Sequence, residues 1–149
     1  MTPMRRLAIT TLAVLVAGCA HRDALTTGSA EITGDAGPRR LTVEIADSDG
    51  ERRRGLMDRS SLAADAGMVF LYDEDRDGAF WMKDTTIPLS IAFFDADGRI
   101  LRILDMEPCR RDPCPLYDPG VDYRGALEVR RGSFARWGVA PGDRITIDR

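Results

Sequence analysis

The sequence predicts a mainly β fold, a compact barrel- or sandwich-like domain of about seven short strands with two short helices. The first observation is a series of short runs of strand length, either alternating apolar and polar or continuously apolar. The second is that turns rich in Asp and Gly separate these runs at short intervals, which is typical of small barrels and sandwiches. The third is size and composition, since 149 residues with 44% hydrophobic and 30% charged side chains suit one globular domain.

The predicted elements of the first half begin with an alternating strand at 41–45, followed by a turn at 47–50. The segment from 51 to 57 is rich in Arg, Leu and Met and predicts a short helix that ends near Arg59. A continuous apolar run at 68–72 predicts a strand. An acidic turn at 73–78 then leads into a second strand at 79–82.

The second half continues the same pattern. A strand at 91–94, a hairpin turn at 95–98 and an alternating strand at 99–106 form one unit. A Pro-rich loop covers 109–123, and a strand follows at 126–129. Ser133 is expected to cap a short helix that ends at Gly138 after Trp137. A final strand is predicted at 144–147.

The first 18 residues predict a lipoprotein signal peptide, with Arg5 and Arg6 as its positive start. The uncharged apolar run 7–17 is too short to span a bilayer. Small residues precede Cys19, whose thiol would be lipidated, and two or more acyl chains give a stable anchor. An ordinary secretory signal, with Cys19 incidental, is the alternative. Ala20 follows the cysteine, as in lipoproteins that are sorted to the outer membrane. We therefore expect the lipid anchor to lie in the inner leaflet of the outer membrane, with the domain facing the periplasm.

Residues 19–38 predict a lipidated flexible tether because they contain Ala, Thr, Gly and Ser and few large apolar side chains. The folded domain is then expected at 39–149. The only histidine, His21, lies in the tether, which excludes Ser-His-Asp catalysis and imidazole metal sites from the domain. Removal of the leader takes away two arginines, which changes the net charge from −3 to −5. A chain with this negative charge is not predicted to have a nucleic-acid partner.

A set of motifs gives the chain a resemblance to a known family. They are Gly55-Leu56-Met57, Gly67-Met68-Val69-Phe70, Phe80-Trp81-Met82-Lys83-x-Thr85 and Leu127-Glu128-Val129. Together they resemble the bacterial and archaeal family catalogued as domain of unknown function 192, over about residues 41–147. The resemblance implies a small, exported or tethered, mostly β protein without an established activity.

The chain departs from that family at two positions. The family usually has Asn where Asp84 stands and Asp where Ser90 stands. A site built on these two polar positions would be altered here, with the carboxylate moved from one position to the other.

Cys109 and Cys114 are the only cysteines of the predicted domain. Outside the cytoplasm, two cysteines in one short loop are expected to form a disulfide. A redox-active or metal-binding pair is the alternative. Redox centres usually have two intervening residues and this pair has four, which favours the structural disulfide.

The acidic turn raises a calcium hypothesis, because Asp73, Asp75 and Asp77 precede Gly78 at the spacing of a calcium loop. Asp84 would supply the acid at position 12 of such a loop. The flanking segments are predicted as strands and not helices, so a solvated acidic turn is favoured.

Methionines raise a copper hypothesis, since thioethers are ligands for Cu(I). The residues concerned are Met57, Met68, Trp81, Met82 and Met106. Methionine more often fills gaps in small cores. On one strand Trp81 and Met82 would point to opposite faces and could not both line one pocket directly. No cofactor is predicted.

The remaining polar residues cluster around the Trp81 segment and define the candidate binding site. Its members are Arg59, Trp81, Lys83, Asp84, Thr85 and Ser90, with Tyr117 and Glu128 possible neighbours. The favoured hypothesis is a non-catalytic envelope domain that binds a small molecule or an envelope protein. The alternative is a hydrolase acting on a glycan with Asp84, Glu128 or Asp105 as its carboxylates.

Overall fold

The computed structural model describes residues 25–149, which form nine strands and two short helices. In chain order the elements are β1 (Thr26–Thr33), β2 (Arg39–Ala46), α1 (Asp49–Arg54), β3 (Ala66–Arg76), β4 (Phe80–Trp81), β5 (Leu89–Phe94), β6 (Ile100–Met106), β7 (Leu116–Tyr117), β8 (Tyr123–Arg130), α2 (Ser133–Trp137) and β9 (Arg144–Asp148). The mainly β prediction with two short helices is confirmed. No helix within 25–149 has the length and apolar character needed to cross a bilayer.

Seven strands form one sheet in the order β6-β5-β8-β3-β2-β1-β9, and β4 pairs separately with β7. Neighbouring strands are antiparallel except β2 and β3, which are parallel and are connected through α1. The two edge strands meet at one end, where the Ile145 amide donates to the Gly98 carbonyl at 2.7 Å. Gly98 has a φ of +78° and a Cβ there would lie 2.1 Å from the Ile145 oxygen, so this closure requires glycine. The sheet therefore curls into a partly closed barrel.

The concave side of the sheet encloses the inner core, which is almost entirely aliphatic. Alternate residues of each strand point inward, for example Leu127 and Val129 of β8. Phe134 of α2 is buried in this core, and Trp137 packs against it with the two rings edge to face at 6.0 Å. The helix α2, which follows β8, thus helps to close the barrel.

The convex side of the sheet carries the outer core, which is rich in aromatic residues and methionine. Phe80 of β4 contacts Phe70 and Phe93 edge-on, at centroid distances of 5.1 and 5.5 Å. Phe93 also meets Tyr123 at 4.9 Å. The outer core is covered by α1 and by the small β4–β7 sheet, and the candidate site lies in this covering layer.

Local hydrogen bonds and glycines determine where the two helices begin and end. A reciprocal capping box between Ser48 and Glu51 starts α1 earlier than predicted, and Gly55, at a φ of +47°, ends it before the predicted limit at Arg59. In α2 the cap position is Gly132 and the predicted cap, Ser133, is the first helical residue. The predicted end of α2 at Gly138 is confirmed.

The predicted tether is wrong for residues 26–33, which form β1. Ala30 and Ile32 alternate with polar residues and are fully buried, and β1 pairs with both β2 and β9. This two-residue period was hidden because two of its inward positions are Gly28 and Ala30, which carry little hydrophobic signal. The predicted signal peptide, Cys19 and His21 lie outside the described residues.

The predicted acidic turn at 73–78 is also wrong in its first half, because β3 continues to Arg76. An irregularity between Leu71 and Arg76 bends the strand, and Arg76 pairs with Tyr123 of β8. Side-chain pairing with the neighbouring strand, such as Arg124 with Asp75 at 2.9 Å, supports the extension. The following predicted strand shortens to β4, and its partner β7 lies inside the predicted Pro-rich loop.

Candidate functional site

A small cavity opens in the covering layer between α1, β4 and the sheet. We call it the Trp81–Glu128 cavity after the residues at its mouth and its base. Its volume is about 40 Å³, room for a water molecule or two or for one small functional group. The last turn of α1 and the side chains Met57, Met82 and Thr85 complete much of its lining.

Glu128 is placed in the cavity by the alternation of β8. Its neighbours Leu127 and Val129 point into the inner core, so Glu128 points to the outer core, where Met68 and Ile91 lie opposite it on β3 and β5. Only 4% of Glu128 is exposed. Burial alone raises the pKa of the Glu128 carboxyl to about 8, and no described residue offers it an ion pair or a hydrogen bond. Such an unpartnered acid is costly to bury.

Trp81 stands at the mouth of the cavity with 49% of its surface exposed. It belongs to β4 and pairs with Leu116 of β7, which is also exposed. The ammonium of Lys83 lies 5.7 Å from the centroid of the Trp81 ring, a cation–π distance. The mouth therefore combines an aromatic surface with an adjacent cation.

Met82 is fully buried, yet it lines the same cavity as Trp81. The prediction that these two residues could not share a pocket is wrong. Because β4 has only two residues, the chain turns immediately after Trp81, and the Thr85 amide donates to the Met82 carbonyl at 3.2 Å. Both side chains therefore reach the same cavity.

Thr85 is buried beside this turn, and its hydroxyl donates to the Lys83 carbonyl at 3.1 Å. Asp84 instead is exposed, with a left-handed φ of +50°, and its carbonyl accepts a bond from the Asp58 amide at 2.9 Å. Asp84 does not line the cavity that Glu128 reaches. The predicted catalytic pair of Asp84 and Glu128 is therefore not assembled.

Ser90 lies on the opposite side of the sheet from the cavity. It is buried, its hydroxyl donates to the Asp105 carboxylate, and it accepts a bond from the Gly132 amide at 2.8 Å. Arg131 adds an ion pair with Asp105 at 3.7 Å. Ser90 thus connects three segments of the barrel wall, and neither Ser90 nor Asp105 belongs to the cavity. The prediction is wrong in grouping Ser90 with Trp81.

Arg59 and Tyr117 also lie outside the cavity lining. Arg59 forms an ion pair with Glu44 of β2, and its carbonyl accepts from the Thr86 hydroxyl at 3.1 Å. The Tyr117 hydroxyl accepts a hydrogen bond from the Glu107 amide at 2.9 Å. Both residues support the loops around the cavity and do not form its walls.

The predicted disulfide between Cys109 and Cys114 is confirmed, with Cα atoms 5.4 Å apart. These sulfurs and the carboxylate of Asp112 form the one group of three potential metal ligands found within residues 25–149. Because both sulfurs are in the disulfide, they are not available as thiolate ligands.

The calcium hypothesis at Asp73, Asp75 and Asp77, which the sequence did not favour, gains no support from the structure. The first two belong to the extended strand β3, where alternate residues cannot wrap around one ion. Asp75 instead pairs with Arg124. Of the predicted copper ligands, Met57 and Met82 line the cavity with Trp81, whereas Met68 and Met106 are fully buried in the outer core.

The last turn of α1 was not among the predicted site residues, although it forms one wall of the cavity. In the sequence, Gly55 could have indicated this wall of the cavity. A Cβ at this position would lie 3.3 Å from the ring of Phe70, so the glycine allows the chain to pass close over the outer core. The Gly55-Leu56-Met57 motif directly follows the helix and marks this passage.

The family comparison covers most of the chain. The model of the DUF192 family, described as Uncharacterized ACR, matches residues 30–147. The chain therefore belongs to this family, as the sequence motifs predicted. None of the curated proteins matches the chain.

Two solved structures are similar to the chain over nearly their whole length. A "putative transcription regulator" from Sinorhizobium meliloti 1021 is 32% identical, with a TM-score of 0.78, and the match covers 83% of this chain and 95% of that one. A protein of unknown function from Novosphingobium aromaticivorans DSM 12444 is 29% identical, with a TM-score of 0.76, and the match covers 93% and 94%. Both share the fold described above.

Proposed function

We propose that the protein is a lipid-anchored binding module of the cell envelope, which takes a small polar ligand in the Trp81–Glu128 cavity. The observation that carries the proposal is the Glu128 carboxyl, buried and unpartnered at the base of a cavity with an open mouth. A polar group that is costly to bury and points into a cavity is typical of a binding site.

Binding is favoured over catalysis by the arrangement of the carboxylates. Hydrolysis of a glycosidic bond usually needs two carboxyl groups that face the same bond from a short distance. Glu128 is the only carboxylate of the cavity lining, because Asp84 is exposed on the turn and Asp105 lies across the sheet. A single buried acid can bind a ligand without a second group.

The proposed location rests on the leader sequence and is supported by the disulfide. Cys109 and Cys114 form a bond that persists in oxidising compartments such as the periplasm. Anchoring is tested with a Cys19→Ser variant. We expect the protein to move from the membrane fraction to the soluble periplasmic fraction. Equal membrane association of both forms would contradict anchoring at Cys19.

Ligand binding is tested through the fluorescence of Trp81. The chain has two tryptophans, and a Trp137→Phe variant leaves Trp81 as the single indole while keeping an aromatic ring beside Phe134. Amines, carboxylates, small sugars and peptidoglycan fragments are titrated into this variant. We expect one class to change the Trp81 emission and to raise the melting temperature of the unmodified chain.

The matched control is Glu128→Gln in the same single-tryptophan background, which keeps the shape of the side chain and removes its acid. We expect the response to the ligand to be lost or strongly weakened in this control. If none of the classes changes either the emission or the melting temperature, the proposed function is wrong.

A second candidate ligand is Cu(I), which is favoured by one observation. Met57 and Met82 both line the cavity beside the Trp81 ring, and thioethers are soft ligands that suit this ion. The test is competition for Cu(I) against a coloured chelator, with Met57→Leu as the variant. Retention of Cu(I) by the wild type but not by the variant would support a copper site, and equal behaviour would remove it.

The similar structure named as a transcription regulator raises the possibility of DNA binding. The net charge of this chain is −3, which does not favour an approach to the phosphate backbone. We therefore do not extend the proposal to nucleic acid. A salt-dependent affinity for duplex DNA would contradict this assignment.

A further inference from the structure

We propose that the ligand of the Trp81–Glu128 cavity is an aliphatic amine, whose ammonium group pairs with Glu128 while its hydrocarbon stem packs on Trp81. This inference rests on the proposed function and names the class of its ligand. Its first support is the missing counter-charge, since Glu128 is only 4% exposed and the ion pairs of residues 25–149 do not include it. An ammonium ion that enters the cavity would supply that charge.

The mouth of the cavity is suited to a cation with an apolar stem. The face of a tryptophan ring attracts cations through its quadrupole, and Lys83 already lies 5.7 Å from the centroid of Trp81. Nearly half of the Trp81 surface remains exposed. A linear alkyl chain can lie on this surface while its charged end reaches Glu128.

The three arginines of α1, Arg52, Arg53 and Arg54, also line the cavity, and two of them have other partners. Arg52 donates to the Leu71 carbonyl and to Asp49, both at 2.7 Å, and lies over the Tyr72 ring at 4.9 Å. Arg53 and Arg54 are exposed, and Arg54 lies 3.9 Å from the Asp58 carboxylate.

The titratable groups around Glu128 are few. From β3 the only one is Tyr72, whose pKa is raised by burial, so it stays neutral through the pH range of interest. The cavity residues from β4 and β5, namely Phe80, Trp81 and Leu89, do not titrate. None of the ion pairs of residues 25–149 therefore includes the Glu128 carboxyl, while the arginines of α1 line the same cavity.

Amine binding is expected to be linked to proton release. Glu128, with a pKa of about 8, is mostly protonated at pH 7, and an ammonium ion pairs with its ionised form. The affinity should rise about tenfold per pH unit below pH 8 and level off above it, because an aliphatic ammonium keeps its proton to about pH 10. A carboxylate ligand would need the protonated acid, and its affinity would fall above pH 8.

The experiment uses three probes with the same stem, namely n-butylammonium, n-butanol and butyrate. Each is titrated into the full-length Trp137→Phe chain in detergent, with Glu128 intact and as Glu128→Gln; the readouts are the Trp81 emission in both forms and the ¹³C shift of the Glu128 carboxyl where it is present. We expect n-butylammonium to bind best, to lower the pKa of Glu128 and to become about tenfold tighter from pH 6 to pH 7. In Glu128→Gln the affinity should fall at least about tenfold at pH 8.5, with no pH dependence left.

The other outcomes distinguish a failure of the amine assignment from a failure of the proposed binding function. Equal binding of n-butanol, or preferential binding of butyrate with a raised pKa of Glu128, would overturn the amine assignment and leave a binding cavity. An affinity for n-butylammonium that does not change between pH 6 and pH 9 would overturn the pairing with Glu128. If no probe binds and the wider panel also gives no response, the proposed function itself is wrong.

Discussion

The two sides of the sheet bury residues with different chemistry, although they are formed by the same strands. The inner core is mostly aliphatic, with Phe94 and Phe134 as its aromatic members, whereas the outer core is richer in aromatic rings and methionine. Leu127 and Glu128 are neighbours on β8, both almost fully buried, and face the two cores in turn. The buried acid thus faces the side of the sheet that has the cavity.

The covers of the two cores differ as well. The inner core is enclosed by the curled sheet and sealed by α2. The outer core is covered by the six-residue α1 and by two strands of two residues each, β4 and β7. Short elements leave gaps between them, and the Trp81–Glu128 cavity is such a gap. The candidate binding site therefore lies on the side that is covered by the shorter elements.

The largest expected effect is the response of stability to pH at Glu128. The carboxyl has a pKa of about 8 in the folded protein against 4.5 for an unperturbed glutamate. Between these values the folded state holds more protons than the unfolded state, so the free energy of unfolding falls as pH rises from about 4.5 to about 8. Glu128→Gln removes this loss and should be more stable than wild type by several kcal/mol at pH 9.

The measurement is urea unfolding at pH 5, 7 and 9. The matched control is Glu74→Gln, the same chemical change at an exposed position of β3, which should leave the pH dependence of wild type intact. If Glu128→Gln and wild type lose the same stability between pH 5 and pH 9, Glu128 is not an uncompensated buried acid.

The next largest effect is expected from the neighbouring residue on the inner side. Leu127→Ala removes a fully buried side chain from the inner core and leaves a void, which typically costs about 3 kcal/mol. The melting temperature should fall by roughly 10 °C, equally at pH 5 and pH 9. A loss below about 1 kcal/mol would mean that the inner core can repack, and the contrast between the two sides would be weaker than described.

These contrasts also explain which parts of the fold were predictable from sequence. The strands with large apolar residues, such as 68–72 and 126–129, were predicted, although in the structure they extend to 66–76 and 123–130. β1 was missed because its inward positions include Gly28 and Ala30, which carry little hydrophobic signal. Its strand character comes from pairing with β2 and β9, which local sequence does not display.

The candidate site was predictable only in part, for a related reason. Trp81, Lys83 and Thr85 are near each other in sequence and remain so in the structure. Ser90 lies only a few residues further along, but it is placed on β5, where the two-residue period directs it to the opposite side of the sheet. Glu128 is distant in sequence, and its burial depends on the neighbouring strands of the sheet.

The smallest expected effect concerns Asp84, a residue other than glycine in the left-handed region. With a φ of +50°, this position favours residues that tolerate the left-handed conformation, among which Asn is common. Asp84→Asn should therefore raise stability by a few tenths of a kcal/mol, measured from urea midpoints at pH 7. Asp58 has a φ of +61° and an ion pair with Arg54 at 3.9 Å, so Asp58→Asn should gain less stability.

Ligand binding should be unchanged by Asp84→Asn, because this carboxylate lies outside the cavity lining. A clear loss of binding would instead show that the turn takes part in recognition.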